Sequence, residues 1–92
     1  MAQPNLTLMS RKACCLCEDA EAVLQALAAR GLCAFDVVDV DQDLQLAVRF
    51  GADVPVLLMG DLVLMQHRIQ SEELLALLAE HGHTKSEQEH AA

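Results

Sequence analysis

The sequence predicts an α/β domain in which a four-stranded mixed sheet carries helices on both faces, in the order β-α-β-α-β-β-α. Three observations support that expectation. Short apolar runs rich in β-branched residues alternate with segments whose apolar residues recur at helical spacing. Glycines fall where those helical segments run out, at Gly31, Gly51 and Gly82. Finally, Gly60-Asp61 separates two apolar runs, a two-residue combination suited to a tight antiparallel hairpin.

Each element can be argued in turn. Leu6-Thr7-Leu8-Met9, preceded by Pro4, reads as a buried first strand, and Ser10 to Ala13 as the loop after it. From about Cys15, Leu16, Ala20, Val23, Leu24 and Leu27 recur at helical spacing, with Gly31 placed for a left-handed C-terminal cap. Phe35 to Val40 is β-branched and follows directly, so strand, helix and strand form a parallel crossover unit. Asp41 is the expected N-cap of a second helix whose apolar face is Leu44, Ala47 and Val48. Val54 to Met59 and Leu62 to Met65 form the hairpin strands. A last helix follows, with Ser71 as N-cap, Glu72 and Glu73 in its positive first turn, Leu74, Leu75, Leu77 and Leu78 as its apolar face, and Gly82 as its end.

Composition bounds what this domain does. At 92 residues and 53% hydrophobic content the chain fits one domain, residues 1–82, followed by a polar tail over 83–92. Phe35 and Phe50 are its only aromatics, so aliphatic side chains must build the core. Cys33, Met9, Met59 and Met65 read as core filling. A formal charge of −8 argues against nucleic acid, as does the lack of aromatic platforms for stacking bases. No apolar stretch approaches the ~20 residues of a membrane span, and the N-terminus lacks a secretory pattern. The expectation is a cytoplasmic monomer without membrane association. In a reducing compartment, four cysteines grouped as three plus one argue for redox or metal chemistry over a disulfide framework.

Cys14-Cys15-Leu16-Cys17 carries the chemistry. Cys14 and Cys17 fall where the first strand gives way to the first helix. There, unpaired N–H groups and the positive end of the helix dipole favour a thiolate. Arg11 and Lys12 add to that effect, whereas Glu18 and Asp19 oppose it. Cys14, at the exposed lip, is the expected nucleophile. Cys17, one turn deeper, is the expected resolving thiol, and the product is a Cys14–Cys17 disulfide. A zinc site normally needs four ligands, and Cys33, His67, His81, His83 and His90 show no matching spacing, so no metal site is assigned.

With Leu6 to Ala20, Val38-Asp39-Val40-Asp41 and Arg49 to Leu57 in view, the chain resembles the glutaredoxin-like branch of the thioredoxin superfamily, in particular small bacterial domains with Cys-x-Leu-Cys followed by Glu. The resemblance spans about Leu6 to Glu80 and implies a thioredoxin-like fold. It implies Cys14 as nucleophile, Cys17 as resolving thiol and Pro55 as a proline held cis, presenting the Val54 backbone to a substrate peptide or glutathione. Arg11 falls where glutaredoxins place a lysine for a glutathione carboxylate. No bound cofactor is implied; glutathione is a possible co-substrate. Cys15 stands where proline is usual and adds an accessory thiol. The stretch from Gln66 to Ser71 lacks the Gly-Gly and following acidic residue that cradle glutathione in that family, while Ser71 and the helix N-terminus supply part of such a cradle.

The expected activity is thiol–disulfide exchange on disulfide-containing proteins or glutathione mixed disulfides. Three alternatives stand beside it. One is a metal or iron–sulfur module using Cys14, Cys15 and Cys17, and another is a catalytically inactive scaffold of the same fold. The third is an arsenate-reductase-like enzyme, with Arg68 as the one candidate for binding the oxyanion.

Overall fold

In the computed structural model, residues 4–80 are described. Strand β1 (Asn5–Ser10) leads into α1 (Cys15–Ala29), β2 (Ala34–Asp39), a 3-10 turn (Val40–Gln42) and α2 (Leu44–Phe50). Strands β3 (Val56–Met59) and β4 (Leu62–Gln66) follow, and then a helix, α3, over 71–80. The sheet order is β2-β1-β3-β4. β1 runs parallel to β2 and antiparallel to β3, and β3 runs antiparallel to β4. The expected element order, mixed sheet and thioredoxin-like arrangement are therefore present. The expected end of the domain at Gly82 and the tail over 83–92 lie outside the described residues.

The alternation of side chains along the central strands divides the core in two. Leu6 and Leu8 of β1 and Leu57 of β3 point to one face, where Ala20, Leu24 and Leu27 of α1 meet Ile69, Leu74 and Leu78. Met9, Val56 and Leu58 point to the other, against Val40 and Phe50. The first cluster is almost wholly aliphatic, and the second adds the ring of Phe50. Cys33 and Met9 are buried, and Met59 and Met65 pack half-buried against the first cluster, so all four fill core space.

Local signals explain the boundaries. Helix α1 stops in a Schellman arrangement: Leu32 N–H donates to the Leu27 carbonyl at 3.0 Å and Gly31 N–H to the Ala28 carbonyl at 2.9 Å. Gly31 takes the left-handed conformation this requires, with φ 76°. Gly60-Asp61 closes the hairpin, Met59 pairing with Leu62. The register shifts between Leu57 and Leu58, which pair with Met65 and Val63, so Leu64 is the extra residue of a bulge in β4.

Three local expectations need correction. Leu44 and Val48 are 80% and 79% exposed, and α2 instead buries Phe50 with Leu46 packed beside it. Two turns of helix permit either apolar stripe, and the one containing the large Phe50 ring gains more by burial. The cap of α2 is Asp43, which accepts from Gln45 N–H at 2.9 Å and Leu46 N–H at 3.3 Å, while Asp41 is engaged elsewhere. At α3, Leu74 N–H donates to the Gln70 carbonyl, which puts Gln70 rather than Ser71 at the cap position.

These environments separate two leucines of equal size. Leu24→Ala should cost about 3 kcal/mol of unfolding free energy through lost burial and the cavity left behind. Leu44→Ala should cost about 0.5 kcal/mol or less. Urea denaturation of both variants checks the assignment of the buried face of α2.

Candidate functional site

The site forms where β1 ends. β3 is antiparallel to β1 with Met9 beside Val56, so the start of β3 and the loop after Ser10 share one end of the sheet. The β4–α3 connection returns to that same end. Ala13 makes the turn into α1 with φ 58°, a left-handed conformation that costs a non-glycine residue about 1 to 2 kcal/mol.

Cys14 is the N-cap of α1, in extended conformation. Its sulfur occupies the place of a capping oxygen, accepting from Cys17 N–H at 3.1 Å, while its carbonyl accepts from Glu18 N–H at 3.0 Å. Cys14 and Cys17 are joined as a disulfide, with Cα atoms 5.1 Å apart. The two differ sharply in environment: Cys14 is half-buried and Cys17 only 2% exposed. Cys15, the first residue of the helix, is exposed with a free thiol. Burial pushes the free Cys33 thiol up from its ordinary value. Among the described residues, no group of three or more His, Cys, Asp or Glu is arranged to hold a metal ion. No described helix is long and apolar enough to cross a membrane.

The Val54–Pro55 bond is cis. Pro55 is buried at the foot of β3, and Val54 lies half-buried just outside the strand ladder. The flanking loops are tied together there. His67 N–H donates to the Pro55 carbonyl at 2.8 Å, and His67 Nε2 lies 3.1 Å from Asp53 Oδ1. His67 has φ 68°, and Arg68 N–H donates to the Gln66 carbonyl across it, making a γ-turn. The segment that lacks the expected Gly-Gly is thus shaped by a histidine held against the loop that precedes Pro55. Asp53 carries no sequence signal, because its partner is fourteen residues away.

Arg11 is the other tie. Its Nε and Nη2 donate to the two oxygens of Asp41 at 3.2 and 2.8 Å, and Nη1 donates to the Gly51 carbonyl at 3.0 Å. Of five guanidinium N–H groups, three are used, leaving one each on Nη1 and Nη2. Gly51 is required for a steric reason at this junction: a Cβ there would run into the Ala47 carbonyl oxygen. The Arg11 hydrogen bond and charge hold the Asp41 carboxyl below its ordinary value, Lys12 adding to the effect, against a smaller opposing influence of desolvation.

Two measurements test this geometry. In the oxidised protein, a thiol alkylating reagent should label Cys15 rapidly and Cys33 only on unfolding, with Cys14 joining Cys15 after reduction, as read by peptide mass mapping. For Asp41, the lowered folded value means that the stability from the Arg11 pair is present above the ordinary carboxylate value of about 3.9. It is lost as pH falls through the lower folded value. NMR titration should place the Asp41 midpoint below about 3.9, and Arg11→Ala should return it toward that value.

Comparison with known proteins supplies the family. No curated protein matches the chain. Among solved structures, the X-ray structure of the structural-genomics target protein XcR50 from X. campestris is 33% identical. That match covers 82% of this chain and 96% of that one, with a TM-score of 0.67. A malarial protein, 23% identical over 87% of this chain and 98% of its own, shares the fold with a TM-score of 0.64. Residues 5–79, which include the dithiol, the cis proline and both loop ties, match the glutaredoxin-like domain (DUF836), and the chain belongs to that family.

Proposed function

We propose that the chain is a thiol–disulfide oxidoreductase working through Cys14 and Cys17. The observation that carries the reading is the Cys14 sulfur itself. It caps α1 and accepts a backbone N–H, an arrangement that stabilises negative charge on sulfur. It is also bonded to a cysteine almost fully out of water.

In the reductive direction, the Cys14 thiolate attacks one sulfur of a substrate disulfide and the other leaves as a thiolate. The Cys17 thiolate then attacks the Cys14 sulfur, releasing the second substrate thiolate and forming the Cys14–Cys17 disulfide. Two electrons pass from the dithiol to the substrate. Two equivalents of an external thiol, or a reductase, restore the dithiol. The Val54 peptide, outside the ladder of β3, offers strand-like pairing to a bound chain, and the two remaining Arg11 N–H groups suit a carboxylate. The substrates in this reading are disulfide-containing proteins or glutathione mixed disulfides in a reducing compartment such as the cytoplasm. The protein acts as a monomer without a bound cofactor.

Equilibration against glutathione buffers, with acid quench and mass analysis, should show a two-electron couple confined to Cys14 and Cys17. Cys17→Ser should accumulate a mixed disulfide on Cys14, and Cys14→Ser should abolish exchange. A chain with no reversible couple, whose Cys17→Ser variant captures no thiol substrate, does not work in this way.

A further inference from the structure

The two edges of the sheet are not alike. The order β2-β1-β3-β4 leaves β2 and β4 at the margins. The bulge at Leu64 disrupts the β4 ladder and blunts that edge against pairing with another strand. β2 has no such device, because all six of its residues pair with β1 in one unbroken register. Ala34 N–H donates inward to the Pro4 carbonyl at 2.9 Å, so by the alternation of a parallel ladder the backbone groups of Phe35 and Val37 face outward. No other described strand pairs with them.

A cleft of about 360 Å³ adjoins this edge, between β2, the loop after β1 and the first turns of α1. Ser10, nine-tenths buried at the end of β1, lines it, and the Ser10 hydroxyl makes no hydrogen bond among the described residues. Val37, 43% exposed, gives the cleft an apolar side next to the open edge. Glu18 and Glu21 of α1 and Asp39 of β2 bring three carboxylates to the wall. Arg11 is paired with Asp41, which leaves Lys12 as the other cation lining the cleft. Asp36 is exposed on the opposite face of β2, so the edge is acidic on both sides. This pattern selects the occupant. A second copy would bring two acidic edges together, each on a chain with a formal charge of −8. A strand with Lys or Arg at alternate positions meets complementary charge instead.

We propose that the outer edge of β2 is a docking site for an extended, basic segment of a partner protein, which joins the sheet as an added edge strand and lays a lysine or arginine side chain across Val37 into the cleft. The backbone of the segment pairs with Phe35 and Val37. The aliphatic stem of the basic side chain packs on Val37, and its charged head meets Glu18, Glu21 and Asp39 and donates to the Ser10 hydroxyl. β1 separates this edge from β3 and the cis proline at its foot, so a partner held here does not occupy the place of a disulfide undergoing exchange.

Amide-resolved NMR titration tests this with two end-blocked peptides matching the six residues of β2, one alternating lysine with valine and the other arginine with threonine. Saturable shifts and slowed hydrogen exchange are expected at the Phe35 and Val37 amides. Glu21→Lys should weaken binding about tenfold or more, and glutamate in place of the basic peptide residues should abolish it. N-methylating successive peptide amides, which removes the strand donors and keeps the charge, should abolish it as well. Binding should persist in Cys14→Ser, whose hydroxyl is suited to cap α1, so the outcome is independent of the dithiol reading. The absence of saturable shifts with both peptides overturns the proposal. Undiminished binding of the N-methylated peptides, undiminished binding to Glu21→Lys, or shifts centred on Val54 and Val56 overturn it equally.

Discussion

The first turn of α1 is capped by sulfur. An N-cap side chain normally offers an oxygen to the N–H of the second or third helical residue, and here the Cys14 sulfur takes the N–H of Cys17. The two-residue spacing between the cysteines therefore has a structural meaning. It sets the second cysteine at the third helical position, whose N–H the cap satisfies and whose side chain turns inward. One geometric arrangement thus satisfies a helix terminus, brings two sulfurs into bonding reach and leaves one of them toward solvent. It depends in turn on β1 being central in the sheet with both faces covered, since that fixes where the chain must leave the sheet and start the helix.

Much of this is legible in the sequence because the determining interactions are local. Gly31 ends α1 through bonds that reach no farther than five residues, Gly60-Asp61 closes a two-residue loop, and the cysteines sit on one helical turn. The position of Pro55 is legible through family resemblance, and its cis bond is present. What is not legible is set by pairs distant in sequence or by competition between near-equal choices. Arg11 and Asp41 are thirty residues apart, and neither advertises the other. The buried face of α2 escapes a sequence reading because seven residues support two apolar stripes, and the choice is made by the strand side chains that Phe50 meets. Asp39, Asp41 and Asp43 are interchangeable as cap residues on paper. In the structure they part ways, Asp39 capping the 3-10 turn, Asp41 binding Arg11 and Asp43 capping α2.

The two ties at the site end are alike in design. Arg11 fastens the loop after β1 to Asp41 and to the end of α2, and His67 fastens the β4–α3 connection to the loop before Pro55. Each joins two segments at the end of the sheet where α1 begins. The loops are thereby positioned by the sheet as a whole. This bears on the resemblance to glutaredoxins, because Arg11, which falls where glutaredoxins place a lysine, is already engaged within the protein. Arg11 keeps two N–H groups outside these bonds, so fastening the loop does not use up the whole guanidinium. The β4–α3 connection differs more. A histidine in a γ-turn, with its ring on Asp53, stands where glutaredoxins have glycines that let glutathione approach the backbone.

The four cysteines show how environment alone divides one kind of side chain into separate chemistries. Cys33 lies in the aliphatic core, where burial raises its pKa and keeps it a thiol. Cys15 differs from Cys14 by one position along the chain, but that position is inside the helix, so its sulfur cannot take up the capping bond and stands in solvent. Cys14 has the bond that stabilises charge together with partial access to solvent, the combination an attacking thiolate needs. Cys17 donates the N–H that favours charge on its neighbour while its own sulfur is enclosed. The same backbone bond that favours charge on the first sulfur thus joins it to a second sulfur shut away from solvent.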